Sequence, residues 1–565
     1  RSDKQVSSAR HSADPRPVGF IGQNRPAVSA VNGKAMLIVD DGSSIEIHSL
    51  STTMPAFKAF GISDDRTKLL YSPLIDGRPS GQLFLEDLST RNRMRVTERL
   101  VLSAAMSPSD PSLVAYTFAG NGGFGLAVAD LKNSSDRVAA ESDVFSEFLQ
   151  WGPDGLIHYF STSAAEPRLV LNSPSDGTFT GRSAWADEDG EVNLVKQANT
   201  ERELVLTAKT ITSDGQISPE SLLNAAPGFP RLDGDHRAPL DLRAGRQTDS
   251  NAISGIRSFK VYSTDGIHRL SGGDLVGFND LTLENTASGA SEDIGKAVLS
   301  GIFDSGVVVK EFLPDGTVTK YIGWGGKVTT LGVTSVNYRL PMANSTMIQG
   351  GANYPSPGAC NLAAHYDTMG YAYDFQQTTV GAHALAIADG LVVFTHSTMA
   401  CNFIQPSCPD YSSTGCPGFY LGNQVIIQHA DGTYSAFSHL QTDSVQVEVG
   451  TSACQGLYVA RQGHTGSVSG AFNNCGDHLH VQRQVSPDPS GQSVPVTFSD
   501  VASHPLSCGT GYNTSSTEIA HSISATTGTF GIPGGNGSVN VTSNGCSWNA
   551  VSNDPWITVT SPAGG

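Results

Sequence analysis

The chain has 565 residues and a formal net charge of −18, and only 16% of its residues are charged. This acidity argues against nucleic acid as a partner and against electrostatic docking on anionic membranes or anionic wall polymers. No apolar run approaches the ~20 residues that a transmembrane helix needs, so membrane insertion is not expected. The plentiful Gly and Pro favour β-sheets and turns, and the length suffices for three or four domains.

The eight cysteines are spaced irregularly and form no Cys-x-x-Cys pair, so a cysteine zinc site is not expected. An even number in loop-rich sequence favours disulfides in an oxidising compartment, which predicts a secreted, periplasmic or cell-surface protein. We predict one bridge between Cys454 and Cys475, and a second pair among Cys401, Cys408 and Cys416.

Residues 1–20 are polar and aperiodic, which predicts a tail. From 21 to 334 the chain repeats pairs of short strands at intervals of about 40 to 50 residues. The pairs are Ala35–Val39 with Ser44–His48, Lys68–Tyr71 with Gln82–Leu85, Leu113–Thr117 with Gly125–Val128, and Gly155–Tyr159 with Arg168–Leu171. This period predicts a β-propeller of six or seven blades, with a tandem of β-sandwiches as the alternative.

Three turns in this part, Ile62–Thr67, Met106–Pro111 and Trp151–Gly155, resemble the blade-entry turns of TolB-like propellers. The resemblance implies a rigid binding platform, and fold alone does not name its ligand. We find no catalytic constellation in these residues.

Residues that could bind a metal are concentrated further along the chain, in three histidine-containing runs. His478 and His480 are two residues apart, and in an extended strand this spacing sends both imidazoles to the same face. Imidazole is a preferred zinc ligand, and hydrolytic zinc sites use three protein ligands. The other runs supply His439, and His365 with Asp374 nine residues later. Such wide spacing requires a sheet, so we predict one metal site assembled from all three runs.

These runs, together with Tyr371–Phe375, Gly422–Ile427 and Gly463–Gly466, resemble the lysostaphin-type (LytM-like) zinc endopeptidases, which cut peptidoglycan. The resemblance covers about residues 335–490 and implies a peptidase-type antiparallel β-sheet domain. Carried over by position, it implies His365, Asp374 and His480 as ligands of Zn²⁺. It also implies His439 and His478 as catalytic residues beside the metal.

One position departs from the commoner pattern of that family. The first ligand usually lies four residues before the Asp, where this chain has Gly370. A branch of the family instead uses a His nine residues upstream, and His365 matches that spacing. We interpret the remaining histidines of this region as surface or hydrogen-bonded residues: His383, His396, His429 and His464.

Residues 491–521 are rich in Ser, Pro, Thr and Gly, which predicts a linker with one further strand at most. Residues 522–565, with the runs Gly528–Thr542 and Asn553–Val559, resemble the opening strands of the immunoglobulin-like BACON module. This implies a partial β-sandwich with an unpaired edge. Either the natural chain continues beyond Gly565, or neighbouring subunits complete the fold, and strand donation of this kind would build a filament.

The sequence therefore predicts an all-β, multidomain protein with a propeller, a peptidase-type domain and a partial β-sandwich. The resemblance implies a secreted or surface zinc metalloendopeptidase that hydrolyses peptidoglycan or Gly-rich peptides. The alternative is an extracellular structural or binding protein that reuses a peptidase-like domain and self-associates through its C-terminal module.

Overall fold

The structure is a computed structural model of the chain. It describes residues 27–31, 34–40, 45–50, 56–63, 65–107, 110–120, 123–141, 144–151, 157–161, 168–172, 182–184, 191–196, 204–208, 258–262, 267–272, 278–303, 305–354, 365, 367–402, 405–412, 421–468, 475–489, 491–524, 528, 534–543, 546 and 557–559. Within these ranges the chain is all-β, as predicted, and a 3-10 helix over Asp367–Met369 is the exception. No helix in the same ranges has the length and apolar character to cross a membrane. The predicted tail lies outside them.

The N-terminal part consists of short strands that follow one another in antiparallel sheets. Its strands are β1 (Ala27–Val31), β2 (Lys34–Asp40), β3 (Ile45–Leu50), β4 (Phe57–Ile62), β5 (Lys68–Ile75), β6 (Arg78–Pro79), β7 (Leu83–Asp87), β8 (Arg93–Thr97), β9 (Val101–Met106), β10 (Leu113–Gly120), β11 (Gly123–Asp130), β12 (Ser135–Ala140), β13 (Val144–Trp151), β14 (Ile157–Ser161), β15 (Arg168–Asn172), β16 (Arg182–Ala184), β17 (Glu191–Lys196), β18 (Leu204–Ala208), β19 (Ser258–Tyr262), β20 (His268–Gly272), β21 (Asn279–Asn285), β22 (Ser291–Phe303), β23 (Gly306–Leu313), β24 (Gly316–Gly323) and β25 (Val328–Ser335).

These strands pair in the orders β1-β2-β3, β4-β5-β7-β8 with β6 beside β5, β12-β11-β10-β9, β13-β14-β15-β16, and β18-β17-β19-β20-β21-β22-β23-β24-β25. The four strand pairs predicted from the sequence are confirmed as β2 with β3, β5 with β7, β10 with β11, and β14 with β15. The first strands of successive sheets lie side by side, β1 against β4, β4 against β9 and β9 against β13, and β1 also contacts β25. Radially arranged blades require such an order.

The C-terminal part is built on a second large sheet. Its strands are β26 (Ser345–Gly350), β27 (Tyr373–Gln376), β28 (His383–Leu385), β29 (Gly390–His396), β30 (Asn423–Gln428), β31 (Tyr434–Leu440), β32 (Ser452–Ala453), β33 (Tyr458–Arg461), β34 (Leu479–Gln484), β35 (Ser493–Val494), β36 (Gly511–Tyr512), β37 (His521–Ile523) and β38 (Val541–Ser543). The sheet order is β32-β29-β30-β31-β34-β27-β26-β36, with β35 beside β34, while β28 pairs with β33 and β37 with β38.

A hydrophobic core covers one face of this sheet. Alternate residues of the strands enter it, as Phe375 of β27, Phe437 of β31 and Leu479 and Val481 of β34 do. Burying such side chains stabilises the fold by roughly 1.5–3 kcal/mol each, before the cost of ordering the chain is subtracted. The other face of β34 therefore carries the remaining alternate residues, including His480.

Residues 491–521, predicted as a linker, contribute to this unit in the structure. Val494 lies in β35, and Phe498 and Leu506 are buried in the same core as the sheet. The burial of these apolar residues could not be predicted from the sequence, because they stand singly among Ser, Pro and Asp and form no apolar run. Much of the predicted BACON-like stretch lies outside the described residues.

One of the two predicted disulfides differs from the structure, and the other could form only with Cys416, which lies outside the described residues. Cys408 is bonded to Cys475, and Cys454 is bonded to Cys546, so the predicted Cys454–Cys475 bridge is wrong. Cys454 follows β32 at the edge of the sheet, 5.8 Å from Cys546 between Cα atoms. Cys475 lies beside the loop that carries Cys408, with 4.7 Å between their Cα atoms. Spacing along the chain does not fix connectivity, since tertiary contacts decide which cysteines meet.

The N-terminal and C-terminal parts pack against each other through apolar side chains. Leu102 of β9 and Phe124 of β11 share a buried cluster with Leu391, Phe394 and Tyr434 of the C-terminal sheet. This contact covers the outer surface of β29, β30 and β31. The two parts therefore share a hydrophobic boundary.

A buried arginine on β34 joins the two parts by hydrogen bonds. The side chain of Arg483 is fully buried and forms an ion pair with Asp431, with 2.8 Å between Nη2 and Oδ2. Its five N–H groups donate to Thr433 Oγ1, Leu313 O, Pro495 O, Gly316 O and Asp431 Oδ2. Leu313 and Gly316 close the hairpin between β23 and β24. The guanidinium of Arg483 therefore binds backbone carbonyls of the N-terminal part.

Candidate metal centre

Asp374 and His480 lie directly opposite each other on neighbouring antiparallel strands. Asp374 is in β27 and His480 is in β34, and the two are register partners. Opposite residues of an antiparallel pair have Cβ atoms about 4.5–5.5 Å apart, close enough for their side chains to bind one ion. The sheet thus brings together residues separated by 106 positions.

His365 reaches the same point from a loop. Its carbonyl accepts a hydrogen bond of 2.9 Å from the backbone N–H of Ala352. The 3-10 helix over Asp367–Met369 follows, and the chain then enters β27. The imidazole of His365 is buried.

The three donor atoms form a nearly equilateral triangle. His365 Nε2 lies 3.2 Å from Asp374 Oδ1, and His480 Nδ1 lies 3.1 Å from each of these atoms. Tetrahedral zinc with nitrogen and oxygen ligands at 2.0–2.1 Å places its donor atoms about 3.3 Å apart. His365, Asp374 and His480 therefore fit a zinc ion in both donor type and spacing.

The pKa directions favour the ligand forms of these groups. Burial lowers the pKa of His365 despite the neighbouring Asp374. Burial alone would raise the pKa of Asp374, but the imidazoles of His365 and His478 and the hydrogen bonds of His365 and His480 hold it well below its ordinary value. A neutral imidazole and an ionised carboxylate are the states in which these side chains bind metals.

His478 and His439 lie beside the triangle with one ring nitrogen each committed to the backbone. His478 Nδ1 lies 2.8 Å from Gly476 O, and His439 Nδ1 lies 2.9 Å from Thr465 O. A carbonyl oxygen only accepts, so both Nδ1 atoms carry the proton and both Nε2 atoms hold the lone pair of the neutral ring. His478 Nε2 lies 3.5 Å from Asp374 Oδ2. The rings of His439 and His478 have centroids 4.9 Å apart.

His439 is kept neutral by its surroundings. Burial lowers its pKa well below 6.5, and the nearby imidazoles of His478 and His480 lower it further. At neutral pH its Nε2 is therefore available to accept a proton.

The carbonyl that orients His439 is itself fixed. Thr465 Oγ1 donates to Leu440 O at 2.8 Å and accepts from the backbone N–H of Asn423 at 2.9 Å. A Cβ added at Gly422 would lie 2.2 Å from Thr465 O, so only glycine fits there. His439 has φ of 59°, a left-handed conformation that costs about 1–3 kcal/mol and persists where the surroundings enforce it.

A histidine between two carboxylates ties a loop to the edge of the site. His464 Nε2 lies 3.0 Å from Asp410 Oδ2, and His464 Nδ1 contacts Asp477 Oδ1. Asp410 is in the loop that the Cys408–Cys475 disulfide also holds. Asp477 directly precedes His478. The loop is thus fastened twice beside a candidate catalytic residue.

This arrangement predicts a specific pH dependence of stability. Burial alone would lower the pKa of His464, but the hydrogen bonds and charges of Asp477 and Asp410 outweigh it and raise the pKa above 6.5. The stabilisation from the charged ring is therefore fully present below the unfolded pKa and is lost as pH rises through the folded pKa. We expect the unfolding free energy of wild type to fall more steeply above about pH 6.5 than that of His464→Asn.

Urea unfolding of the two proteins across this pH range measures the difference. The prediction fails if both lose stability with the same slope, since His464 would then bind no extra proton in the folded state.

All five residues selected from the sequence lie together in the structure: His365, Asp374, His439, His478 and His480. At the alternative ligand position, Gly370, the side chain of Asn353 occupies the space beside the glycine, with Nδ2 2.2 Å from where a Cβ would lie. Sequence reasoning missed Gln482, whose Oε1 lies 3.1 Å from His480 Nε2. The period-2 rule that selected His478 and His480 also passes through Gln482 and could have indicated it.

Comparison with known proteins places one stretch in a peptidase family. Residues 368–492 match Peptidase family M23, so this part of the chain is an M23 peptidase domain. The matched stretch contains Asp374, His439, His478 and His480, and His365 lies three residues before it. No curated protein sequence matches the chain.

Several solved structures are weakly similar to the chain. TolB from Acinetobacter baumannii is 13% identical, with 58% of this chain and 68% of that chain covered and a TM-score of 0.29. A functionally unknown protein from Desulfotomaculum acetoxidans DSM 771 is 11% identical, with 57% and 99% covered and a TM-score of 0.29. A nidogen/laminin complex is 9% identical, with 55% and 93% covered and a TM-score of 0.28. TM-scores this low do not establish a shared fold.

Proposed function

We propose that the chain is a secreted or surface zinc metalloendopeptidase that hydrolyses peptide bonds in peptidoglycan. The proposal rests on the convergence of His365 Nε2, Asp374 Oδ1 and His480 Nδ1 within 3.2 Å of one another. Nε2 of a further imidazole, that of His478, lies 3.5 Å from Asp374. The M23 domain supports the peptidase class.

His365, Asp374 and His480 would hold the ion, and zinc so bound would supply Lewis acidity and lower the pKa of bound water to about 7. Nε2 of either His478 or His439 would accept the proton of the attacking water. The same nitrogen would return that proton to the amine of the leaving peptide. The other imidazole would first take up a proton from solvent at Nε2, before the substrate closes the site, and would donate that N–H in a hydrogen bond to the developing oxyanion.

The surroundings of the site fit such proton transfers. Both rings are fixed by Nδ1–H donation to backbone carbonyls, so their Nε2 atoms keep a constant direction through the reaction. Burial of His439 and His478 excludes bulk water from the transferred proton.

The proposal extends to the location of the protein and to the roles of the N-terminal part and the C-terminal module. The Cys408–Cys475 and Cys454–Cys546 bridges support an oxidising, extracellular or periplasmic location. We propose that residues 21–334 form a propeller that serves as a rigid platform beside the peptidase unit at 335–490. We further propose a BACON-like module at 522–565 through which the chain self-associates.

Metal analysis and hydrolysis assays on the same samples test the proposal. We expect one zinc per chain in wild type, lost in His365→Ala and His480→Ala together with hydrolysis of peptidoglycan and of Gly-rich peptides. His383→Ala is the matched control, because His383 is half-exposed on β28 and contacts Glu518. Zinc that is absent, or unaffected by either ligand change, would favour a structural or binding protein.

A further inference from the structure

A row of buried polar side chains extends from the metal centre along β34. His480, Gln482 and Gln484 alternate along the strand and therefore face the same side of the sheet. Their exposed fractions are 1%, 0% and 0%. Buried polar groups are costly unless they are hydrogen-bonded, so the partners of these side chains determine how each is oriented.

The orientation starts at the far end of the row. Gln484 Nε2 lies 2.7 Å from Ser486 O and 2.9 Å from Asp488 O. Both partners are carbonyl oxygens, which only accept, so the amide nitrogen must be on that side. Gln484 Oε1 consequently faces back along the strand towards Gln482.

Gln482 is oriented by two acceptors. Its Nε2 lies 2.7 Å from Gln484 Oε1 and 2.7 Å from Gly491 O. Its Oε1 must therefore face His480, whose Nε2 lies 3.1 Å away. A Cβ added at Gly491 would lie 2.8 Å from Gln484 Nε2, so the glycine permits this close packing.

We propose that Gln482 is a positioning residue that fixes the tautomer of His480 for metal binding. Because Gln482 Oε1 can only accept, His480 Nε2 carries the ring proton. The neutral imidazole then holds its lone pair at Nδ1, which is the atom that joins Asp374 Oδ1 and His365 Nε2 in the donor triangle. The carbonyls of Ser486, Asp488 and Gly491 thus fix the tautomer of His480. They act through the side-chain amides of Gln484 and Gln482.

This inference rests on the proposed metal site, and zinc affinity rather than turnover tests it. Chelator competition on the full chain gives the zinc dissociation constant of each variant. We expect Gln482→Met to bind zinc about 10–100-fold more weakly, the range typical for loss of a hydrogen bond behind a ligand histidine. Gln482→Glu keeps an oxygen facing His480 Nε2 and is expected to bind at least about tenfold more tightly than Gln482→Met.

Gln428→Met is the matched control, because Gln428 is an equally buried glutamine of the same sheet that donates to Tyr434 OH at 2.8 Å. It should lose folding stability without losing zinc affinity. Equal affinity in Gln482→Met and Gln428→Met would overturn the inference.

If Gln482→Met does not fold, the zinc affinity of Gln482→Glu alone tests the inference. Wild-type affinity in Gln482→Glu supports the acceptor role, and a loss of tenfold or more contradicts it. Failure of wild type itself to bind zinc would instead refute the proposed function, so the two failures are distinguishable.

Discussion

Replacing His478 or His439 by alanine is expected to lower kcat for peptide hydrolysis by roughly 10²–10⁴-fold while the zinc content stays unchanged. Neither imidazole belongs to the donor triangle, so the ion should remain bound. Each supplies one of the two Nε2 atoms that would move the proton or stabilise the oxyanion. Turnover of a peptidoglycan-derived peptide, measured beside the zinc content of the same sample, gives both quantities.

His429→Ala is the control for these variants. His429 is as buried as His439, and its Nδ1 also contacts a backbone carbonyl, Asp389 O at 2.8 Å. Its ring packs against Tyr338 rather than against the site. It should lower stability and leave kcat intact. Unchanged turnover in both His478→Ala and His439→Ala would exclude the proposed proton transfer.

Replacing Arg483 by methionine is expected to lower the unfolding free energy by about 3–5 kcal/mol. The change removes five hydrogen bonds and leaves the carboxylate of Asp431 buried without its counter-charge. Urea unfolding followed by tryptophan fluorescence and by circular dichroism measures the loss, and agreement of the two probes establishes a single transition.

Two further variants show whether the unpaired charge is the cause. Arg483→Met combined with Asp431→Asn should recover part of the loss, because the buried group is then neutral. Arg461→Met, at an exposed arginine of β33 whose Nη1 donates to Gly381 O at 3.1 Å, should lower stability by no more than about 1.5 kcal/mol. A double variant no more stable than Arg483→Met alone would attribute the loss to the hydrogen bonds with the hairpin.

Local pattern was sufficient to predict the four strand pairs and the shared face of His478 and His480, but not the whole candidate site. Short apolar runs separated by turns predicted the four strand pairs of the N-terminal part, since both signals are local to each pair. The period-2 rule put His478 and His480 on one face. His365 followed from its spacing to Asp374 in a known family rather than from any local signal.

Contacts between distant segments could not be predicted in this way. Cys408 meets Cys475 across 67 positions, and Arg483 meets Leu313 O across 170. Nothing near these residues in the chain marks their partners. Gln482 was missed although it continues the face of His478 and His480, because a polar side chain in a strand is usually interpreted as solvent-facing until the loop that covers it is known.

Arg483 donates hydrogen bonds to the hairpin between β23 and β24, and this contact ties the evolution of the two halves of the protein together. Leu313 O and Gly316 O accept hydrogen bonds from this guanidinium. Pro314 O also accepts one from the backbone N–H of Thr497, and Thr317 Oγ1 donates one to Asp431 O. A recombination event that joined the C-terminal half to an unrelated N-terminal half would leave the buried guanidinium of Arg483 without these acceptors. The two halves should therefore be inherited together, and relatives that lack the hairpin should also lack the arginine.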